Sequence, residues 1–283
     1  MIIAFLGTGL MGFPMAENLL NAGFKLHVYN RSYDKTAALQ KLGATRFRCP
    51  QQAVKNADII ITMLADEKIQ EQVLFNPSAL TACKSNSLII DMGSIAPDTA
   101  IEHAKQASKY QLCYLDAPVS GGTLGAENAE LVIMVGGSNR DLHRAQAVFQ
   151  ALGNNTVHIG ATGTGQIAKC ANQAIVAITI GAVSEALLLA QQGGANISAV
   201  RKALLGGFAA SKVLEQHGQR MLDRNFTAGA TASVQLKDLT NITELASRNN
   251  LHLPLTASIF SQYQVLVNSG KKNLDHSALL LQS

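Results

Sequence analysis

The chain has 283 residues, 47% hydrophobic and 15% charged, with a formal net charge of +4. That length builds one large domain or two ordinary ones, and that composition excludes global disorder. A mild positive balance without a basic run excludes an electrostatic footprint for nucleic acid, yet suits a small anionic ligand.

The N-terminus, "MIIAFLGTG", has neither a basic n-region nor a small-residue cleavage site, so it does not read as a signal peptide. Apolar-plus-glycine runs stay short of the roughly 18 residues of a membrane span. Cys49, Cys83, Cys113 and Cys170 are scattered with no CxxC pair. They read as reduced structural thiols, and the expected location is cytoplasmic. Cys170 lies on an apolar helical face, which argues against a nucleophile.

The first strand, "IIAFLG", runs into a predicted helix over 11–22 through "GTGLMG". In this GxGxxG, Gly7 permits the tight turn, Gly9 lets backbone approach a pyrophosphate, and Gly12 lets helix and strand pack closely. Phosphates then meet the helix N-terminus, so the stretch Gly7, Thr8, Gly9, Leu10, Met11 and Gly12 is a candidate dinucleotide site. A plain structural turn is the competing reading, and the strand–turn–helix context argues against it.

The second strand, "KLHVYN", ends at Asn30, Arg31 and Ser32. A carboxylate there would favour NAD; a guanidinium grips a 2′-phosphate instead. NADP(H) is the preferred cofactor, with NAD(H) use left open. Next come a helix over 34–42, "ADIIITML", a helix over 67–74, "SLIIDMG", a helix over 97–109, "LCYLDAP" and "LVIMVGG". Strands alternating with helices imply a mostly parallel sheet covered on both faces.

After "IGATGTGQ" strand signals nearly vanish. Helices are predicted over 166–192, 198–205, 211–221, 233–248, 254–269 and 275–281. The fold class is α/β: an N-terminal Rossmann-type dinucleotide-binding domain, 1–160, and a C-terminal all-α domain, 161–283. A long interdomain helix of about 40 Å joins them. On that helix Lys169, Asn172 and Gln173 share a face by their i, i+3, i+4 spacing. Such a face looks either at water or into a polar cavity that uses an ammonium.

Four ordered stretches carry a resemblance: "FLGTGLMGFPMAENLL", "DAPVSGG" (116–122), "GTGQIAKCANQ" (163–173) and "KDL" (237–239). Over essentially its whole length the chain resembles the β-hydroxyacid dehydrogenases. "IDMGSIAP", "MLDRNF", "LPLTA" and "DHSAL" resemble the family's tartronate semialdehyde and glyoxylate/succinic semialdehyde reductases. The resemblance implies that Lys169 is catalytic and that Asn172 orients the reacting oxygen. It implies that Ser120, Gly121 and Gly122 hold a substrate carboxylate, with Gln173 beside them. Met63, Leu64, Ala65, Ser94 and Lys237 are implied cofactor contacts, and Phe208 and Asp238 are placed near the cleft. The small residues of "TAGATASVQLKDL" depart from the family pattern and leave the pocket wall open.

The residues support this chemistry. Hydride delivery to an aldehyde carbon builds charge on oxygen, and a protonated lysine meets that charge. In the oxidative direction the same lysine must first be neutral, so oxidation is expected to improve at alkaline pH. Consecutive glycines leave amides unobstructed for an anion, and Ser120 adds a hydroxyl. Asp116 reads as a brace for its loop. With no HxH or HExxH among seven histidines, no metal site is expected. His217 and His276 read as solvent-facing.

The expected activity is reduction of a small semialdehyde acid: tartronate semialdehyde, glyoxylate or succinic semialdehyde. A 3-hydroxyisobutyrate- or L-serine-type dehydrogenase is the alternative, and a non-catalytic cofactor-sensing module is the alternative of another class. The expected partners are a small carboxylate substrate and further copies of the chain, as a homodimer or homotetramer, with no nucleic acid and no membrane. The "LLLAQQ" and "ALLLQ" leucines serve as core or subunit contacts.

Overall fold

The computed structural model describes residues 1–282, and the chain divides into two compact units, residues 1–169 and residues 170 onward. Strands of the first unit are β1 (Ile2–Leu6), β2 (Lys25–Tyr29), β3 (Thr45–Phe47), β4 (Ile59–Thr62), β5 (Leu88–Asp91), β6 (Cys113–Asp116), β7 (Val119–Ser120), β8 (Val132–Gly136) and β9 (Asn155–Gly160). Its helices are α1 (Gly12–Asn21), α2 (Ala37–Lys41), α3 (Pro50–Val54), α4 (Glu67–Val73), α5 (Pro77–Ala82), α6 (Pro97–Lys109), α7 (Gly122–Glu127) and α8 (Asn139–Leu152).

Among the described residues these strands form one sheet in the order β3-β2-β1-β4-β5-β6-β8-β7, with β9 on β8. From β3 to β6 every neighbour is parallel. That is the doubly wound order of dinucleotide-binding sheets, and its direction of progression reverses beside β1. Its central strands, β1, β4, β5 and β6, are buried on both faces. Ile3 and Phe5 of β1 join a core with Met15, Leu19, Val28 and Ile61, whereas Ala4 and Leu6 join another with Val54, Ile60 and Leu74. A strand apolar on both faces loses the alternation of a half-buried one, which is why "IIAFL" and "IIIT" read as continuous runs. Beyond β6 the sheet turns: β8 is antiparallel to β6 and β7.

The second unit is helical. It contains α10 (Ile197–Leu205), α11 (Lys212–Leu222), α12 (Ala232–Arg248) and α13 (Pro254–Leu266), preceded by the 29-residue α9 (Thr164–Gln192), whose first turns group with the first unit. A 3₁₀ segment, His276–Gln282, follows. Side chains of Asn196, Ser211 and Thr231 cap α10, α11 and α12 by accepting from backbone amides. Ala177, Ile180 and Leu187 of α9 pack with Leu214, Leu239, Ile242, Tyr263 and Leu279. The sequence reading found no apolar run of membrane length. The helix is nonetheless long and apolar enough to cross a membrane by length and composition. Ala177, Ile180, Val183 and Leu187 along it are core residues of the helical unit.

Candidate active site

The glycine turn leaves β1 where the strand order reverses. Gly7 has φ +102°, and a Cβ there would run into the carbonyl of Met63 and lie 2.8 Å from Leu64 Cδ2. A Cβ on Gly12 would strike the Gly7 carbonyl. Gly9 differs: a Cβ there would meet nothing within 4 Å. So Gly7 and Gly12 serve the fold, while Gly9 keeps a surface open above α1's first turn, where helix amides lack intrahelical acceptors. Thr8 is buried, and its Oγ1 has no hydrogen-bond partner among the described residues. An orphaned hydroxyl inside an open glycine turn at a helix N-terminus fits a dinucleotide phosphate. Thr8 N donates to Asn30 Oδ1 at 3.2 Å, and Asn30 Nδ2 donates to the Ser32 carbonyl at 3.0 Å. Asn30 therefore ties the turn to the end of β2, beside the exposed Arg31. Just beyond, the guanidinium carbons of Arg46 and Arg48 lie 3.9 and 4.0 Å from the Tyr33 ring centroid, a basic cluster that the sequence motif did not reveal.

Asp91 fastens the next two loops. Fully buried, its carboxylate accepts from Thr62 Oγ1, Gln70 Nε2, Gly93 N and Tyr114 OH. Burial pushes its pKa up to about 7 against those four donors. A Cβ on Gly93 would lie 2.9 Å from the Leu64 carbonyl, so the 63–65 and 93–94 segments run together. Met63, Leu64, Ala65 and Ser94 thus follow the carboxyl ends of β4 and β5, adjacent to the glycine turn.

The N-terminus of α9 docks onto the same edge. Asp116 is buried and accepts from Gly163 N at 2.8 Å and Gln166 N at 3.0 Å. A carboxylate there suits the helix dipole, although burial raises its pKa to about 6. The expected brace is thus a helix cap. Gln166, wholly buried, donates through Nε2 to the Gly93 carbonyl at 2.9 Å and accepts from Ile95 N at 3.2 Å. It clamps the Ser94 loop to α9. The sequence held no spacing signal for it beyond its place in "GTGQ".

One turn along α9, Lys169 Nζ donates to the Val119 carbonyl at 2.8 Å. Val119 and Ser120 form β7, and Gly121 and Gly122 take φ of +141° and +64° as the chain bends into α7. The ammonium is held at the root of the Ser-Gly-Gly stretch.

In the second unit, Asn172 Nδ2 donates to Gln173 Oε1 at 2.9 Å, and Gln173 Nε2 donates to Asp238 Oδ2 at 2.6 Å. Lys237 Nζ lies 3.2 Å from Asp238 Oδ1. Gln173, Lys237 and Asp238 therefore gather at one place, while Phe208 is fully exposed. His276 corrects the sequence reading: it is buried, 6% exposed, and His217 is half-buried. The 3₁₀ segment carries His276 into the helical core, where its Nε2 lies 3.2 Å from His217 Nε2. These two and Asp275 place one ligand-type atom each within 4.8 Å of one another. The cysteines are free thiols, and Cys170 packs into the helical core.

The sequence model for the NAD binding domain of 6-phosphogluconate dehydrogenase matches residues 2–160. That for the NAD-binding region of NADP-dependent 3-hydroxyisobutyrate dehydrogenase matches residues 163–282. The chain is 42% identical to 2-hydroxy-3-oxopropionate reductase of Escherichia coli K12, covering 99% of this chain and 96% of that protein. It is 32% identical to the NAD-dependent L-serine dehydrogenase of Pseudomonas aeruginosa, covering 98% and 96%. The solved 3-hydroxyisobutyrate dehydrogenase of Salmonella typhimurium superposes with a TM-score of 0.93 at 25% identity, covering 99% of each chain.

Proposed function

The chain belongs to the NAD(P)-dependent β-hydroxyacid dehydrogenase family, and on that premise we propose that it reduces a small semialdehyde acid to the hydroxyacid with Lys169 as proton donor. Tartronate semialdehyde, glyoxylate and succinic semialdehyde are the substrates of choice. Carrying the reading is the 2.8 Å contact from Lys169 Nζ to the Val119 carbonyl, which keeps an ammonium beside Ser120, Gly121 and Gly122. A carboxylate bound at that stretch sets the substrate's carbonyl oxygen within reach of the lysine.

Residues 1–160 form the NADP(H)-binding domain in this proposal, and 161–283 the substrate and oligomerisation domain. Gly7, Thr8, Gly9, Leu10, Met11 and Gly12 hold the pyrophosphate, and Met63, Leu64, Ala65, Ser94 and Lys237 supply further contacts. Asn30, Arg31 and Ser32 flank the adenosine ribose, and Arg31 without a carboxylate favours NADP(H). When bound, the dinucleotide supplies hydride to the aldehyde carbon. Lys169 gives its proton to the oxygen as charge builds there, then regains one from solvent. Asn172 orients that oxygen, and Gln173 borders the substrate. The enzyme is a cytoplasmic homodimer or homotetramer.

Steady-state rates for tartronate semialdehyde, glyoxylate, succinic semialdehyde, 3-hydroxyisobutyrate and L-serine, each with both cofactors, test the proposal. The highest kcat/KM is expected for a semialdehyde acid with NADPH. If 3-hydroxyisobutyrate or L-serine oxidation dominates instead, the chain works as the corresponding dehydrogenase.

A further inference from the structure

The contact between His217 and His276 has no part in the proposed reaction. It lies inside the helical unit at the meeting of α11, α12 and the C-terminal 3₁₀ segment. His276 Nδ1 lies 3.1 Å from Gln235 Oε1, and its Nε2 lies 3.2 Å from His217 Nε2. His217 Nδ1 faces Asp275 Oδ1 at 3.6 Å, an ion-pair contact rather than a hydrogen bond. The row therefore ends in an acceptor on each side: an amide oxygen at one end and a carboxylate at the other.

With Gln235 Oε1 facing His276, proton counting on this row has one favourable solution. Nδ1 of His276 carries a proton toward Oε1, and Nδ1 of His217 carries one toward the carboxylate. A bond between the two Nε2 atoms needs one proton, since none leaves two lone pairs opposed and two leave two N–H groups opposed. The rings together then hold three protons and one positive charge, balanced by Asp275. The surroundings agree. Burial, followed by the neighbouring His217 charge, pushes the pKa of His276 down to about 4, so that ring stays the neutral member. Burial alone would raise the pKa of Asp275, but His217, His276 and the Ser277 donors outweigh it and hold that pKa far below the usual carboxylate range.

The three groups also have the spacing of a cation site, but the carboxylate has little left to offer one. Asp275 accepts from Gly229 N, Ala230 N, Ser277 N and Ser277 Oγ, and the Arg220 guanidinium stands 3.8 Å away. Four donors already engage the carboxylate, and the nearby guanidinium repels a metal's charge.

Gln235 and Asp238 stand at i, i+3 on α12, so they share a helical face. One turns to His276, and the other accepts from Gln173 of α9. We propose that His217 and His276 hold a single proton between their Nε2 atoms and act as a positioning pair, fixing the face of α12 that presents Asp238 to Gln173. The charged and titratable groups around His276 are His217 and Arg220 from α11, Asp238 from α12, Tyr263 from α13, and Asp275 beside it. Tyr263 OH donates to the His276 carbonyl at 2.9 Å, which anchors the 3₁₀ segment from the other side.

Imidazole ¹⁵N spectra of the full chain labelled at histidine, assigned with His217→Gln and His276→Gln, count the protons without substrate. The expected result is three protons on the pair at neutral pH. Two protons, with the Gln235 amide turned over to donate, overturn the proposal. So does a shift of both Nε2 signals on adding one equivalent of Zn²⁺, which makes the cluster a metal site. The effect on Gln173 rests on the reductase reading and has its own arm. Each single variant should lower kcat/KM on the order of tenfold, as expected for a misplaced contact. The double variant should cost no more than either single, because one shared proton is lost in all three. Fully additive losses mean separate structural roles and overturn the positioning pair.

Discussion

Lys169 and Val119 are joined by a 2.8 Å hydrogen bond from ammonium to backbone carbonyl, although fifty residues separate them in the chain. The bond carries the proposed proton donor to the edge strand that opens into Ser120-Gly121-Gly122, and it limits where the ammonium can reach. A Lys169→Ala substitution removes a general acid and nothing from the glycine turn. kcat should fall about 10²–10⁴-fold, while the NADPH dissociation constant by fluorescence titration stays within about twofold. Turnover near wild type would remove Lys169 from the chemistry and favour a cofactor-sensing role.

Two glycines separate folding from binding. A Cβ at Gly165 would lie 2.5 Å from the Met134 carbonyl and 2.7 Å from the Asp116 carbonyl, and neither backbone oxygen can yield. Gly165→Ala should destabilise the protein by about 3 kcal/mol or more, read as denaturant midpoint or soluble yield. A Cβ at Gly9 meets open space. Gly9→Ala should therefore keep its melting temperature within a few degrees while weakening NADPH binding at least tenfold, about 1.4 kcal/mol. Normal binding by Gly9→Ala would mean that the dinucleotide does not pass over this turn.

Cofactor preference should rest on Arg31. It is exposed at the end of β2, where Asn30 is already engaged with Thr8 and Ser32. Removing the guanidinium should raise the NADPH dissociation constant on the order of ten- to a hundredfold and leave NADH binding nearly unchanged, because NADH lacks the 2′-phosphate. Equal losses for both cofactors would show that Arg31 only shapes the loop. Arg46 hydrogen-bonds Thr36, Gln40 and the Tyr33 carbonyl, so its replacement should reduce stability more than discrimination.

Local chemistry made part of this architecture readable and hid the rest. The helix over 97–109 was legible to the residue because Pro97 occupies its first position. The glycine turn was legible from its place between a strand and a helix. The short elements β3, α3 and α5 lack the length for a periodic signal, and the apolar stripe of α8 is confined to its later turns, at Ala145, Val148, Phe149 and Leu152. Strand β9 has no buried residue and so no alternation to read. Lys169, Asn172 and Gln173 stood out because helical spacing gathers them. Gln166 and Asp91 did not, since their partners lie on loops distant in sequence. The same reason hid His276, whose contacts to Gln235 and His217 span 41 and 59 residues.

His103 should contribute to the acid sensitivity. It is 1% exposed and stacks on Phe75 with centroids 3.6 Å apart and planes at 5°, and neither ring nitrogen has a hydrogen-bond partner among the described residues. Burial pushes its pKa down from 6.5 to about 4. Between those values the unfolded chain binds a proton at this site and the folded chain does not. Stability from this group is therefore fully present above about pH 6.5, falls as pH drops through the window, and levels off below about 4. Replacement by leucine keeps an apolar side chain against Phe75 and removes two unpaired nitrogens, each costly to bury. His103→Leu should be at least as stable as the wild type at pH 8, by up to about 1 kcal/mol. It should lose less stability between pH 6.5 and 4.5 in urea titrations. An unchanged acid slope would mean that His103 is protonated in the folded state, which requires a partner for its ring.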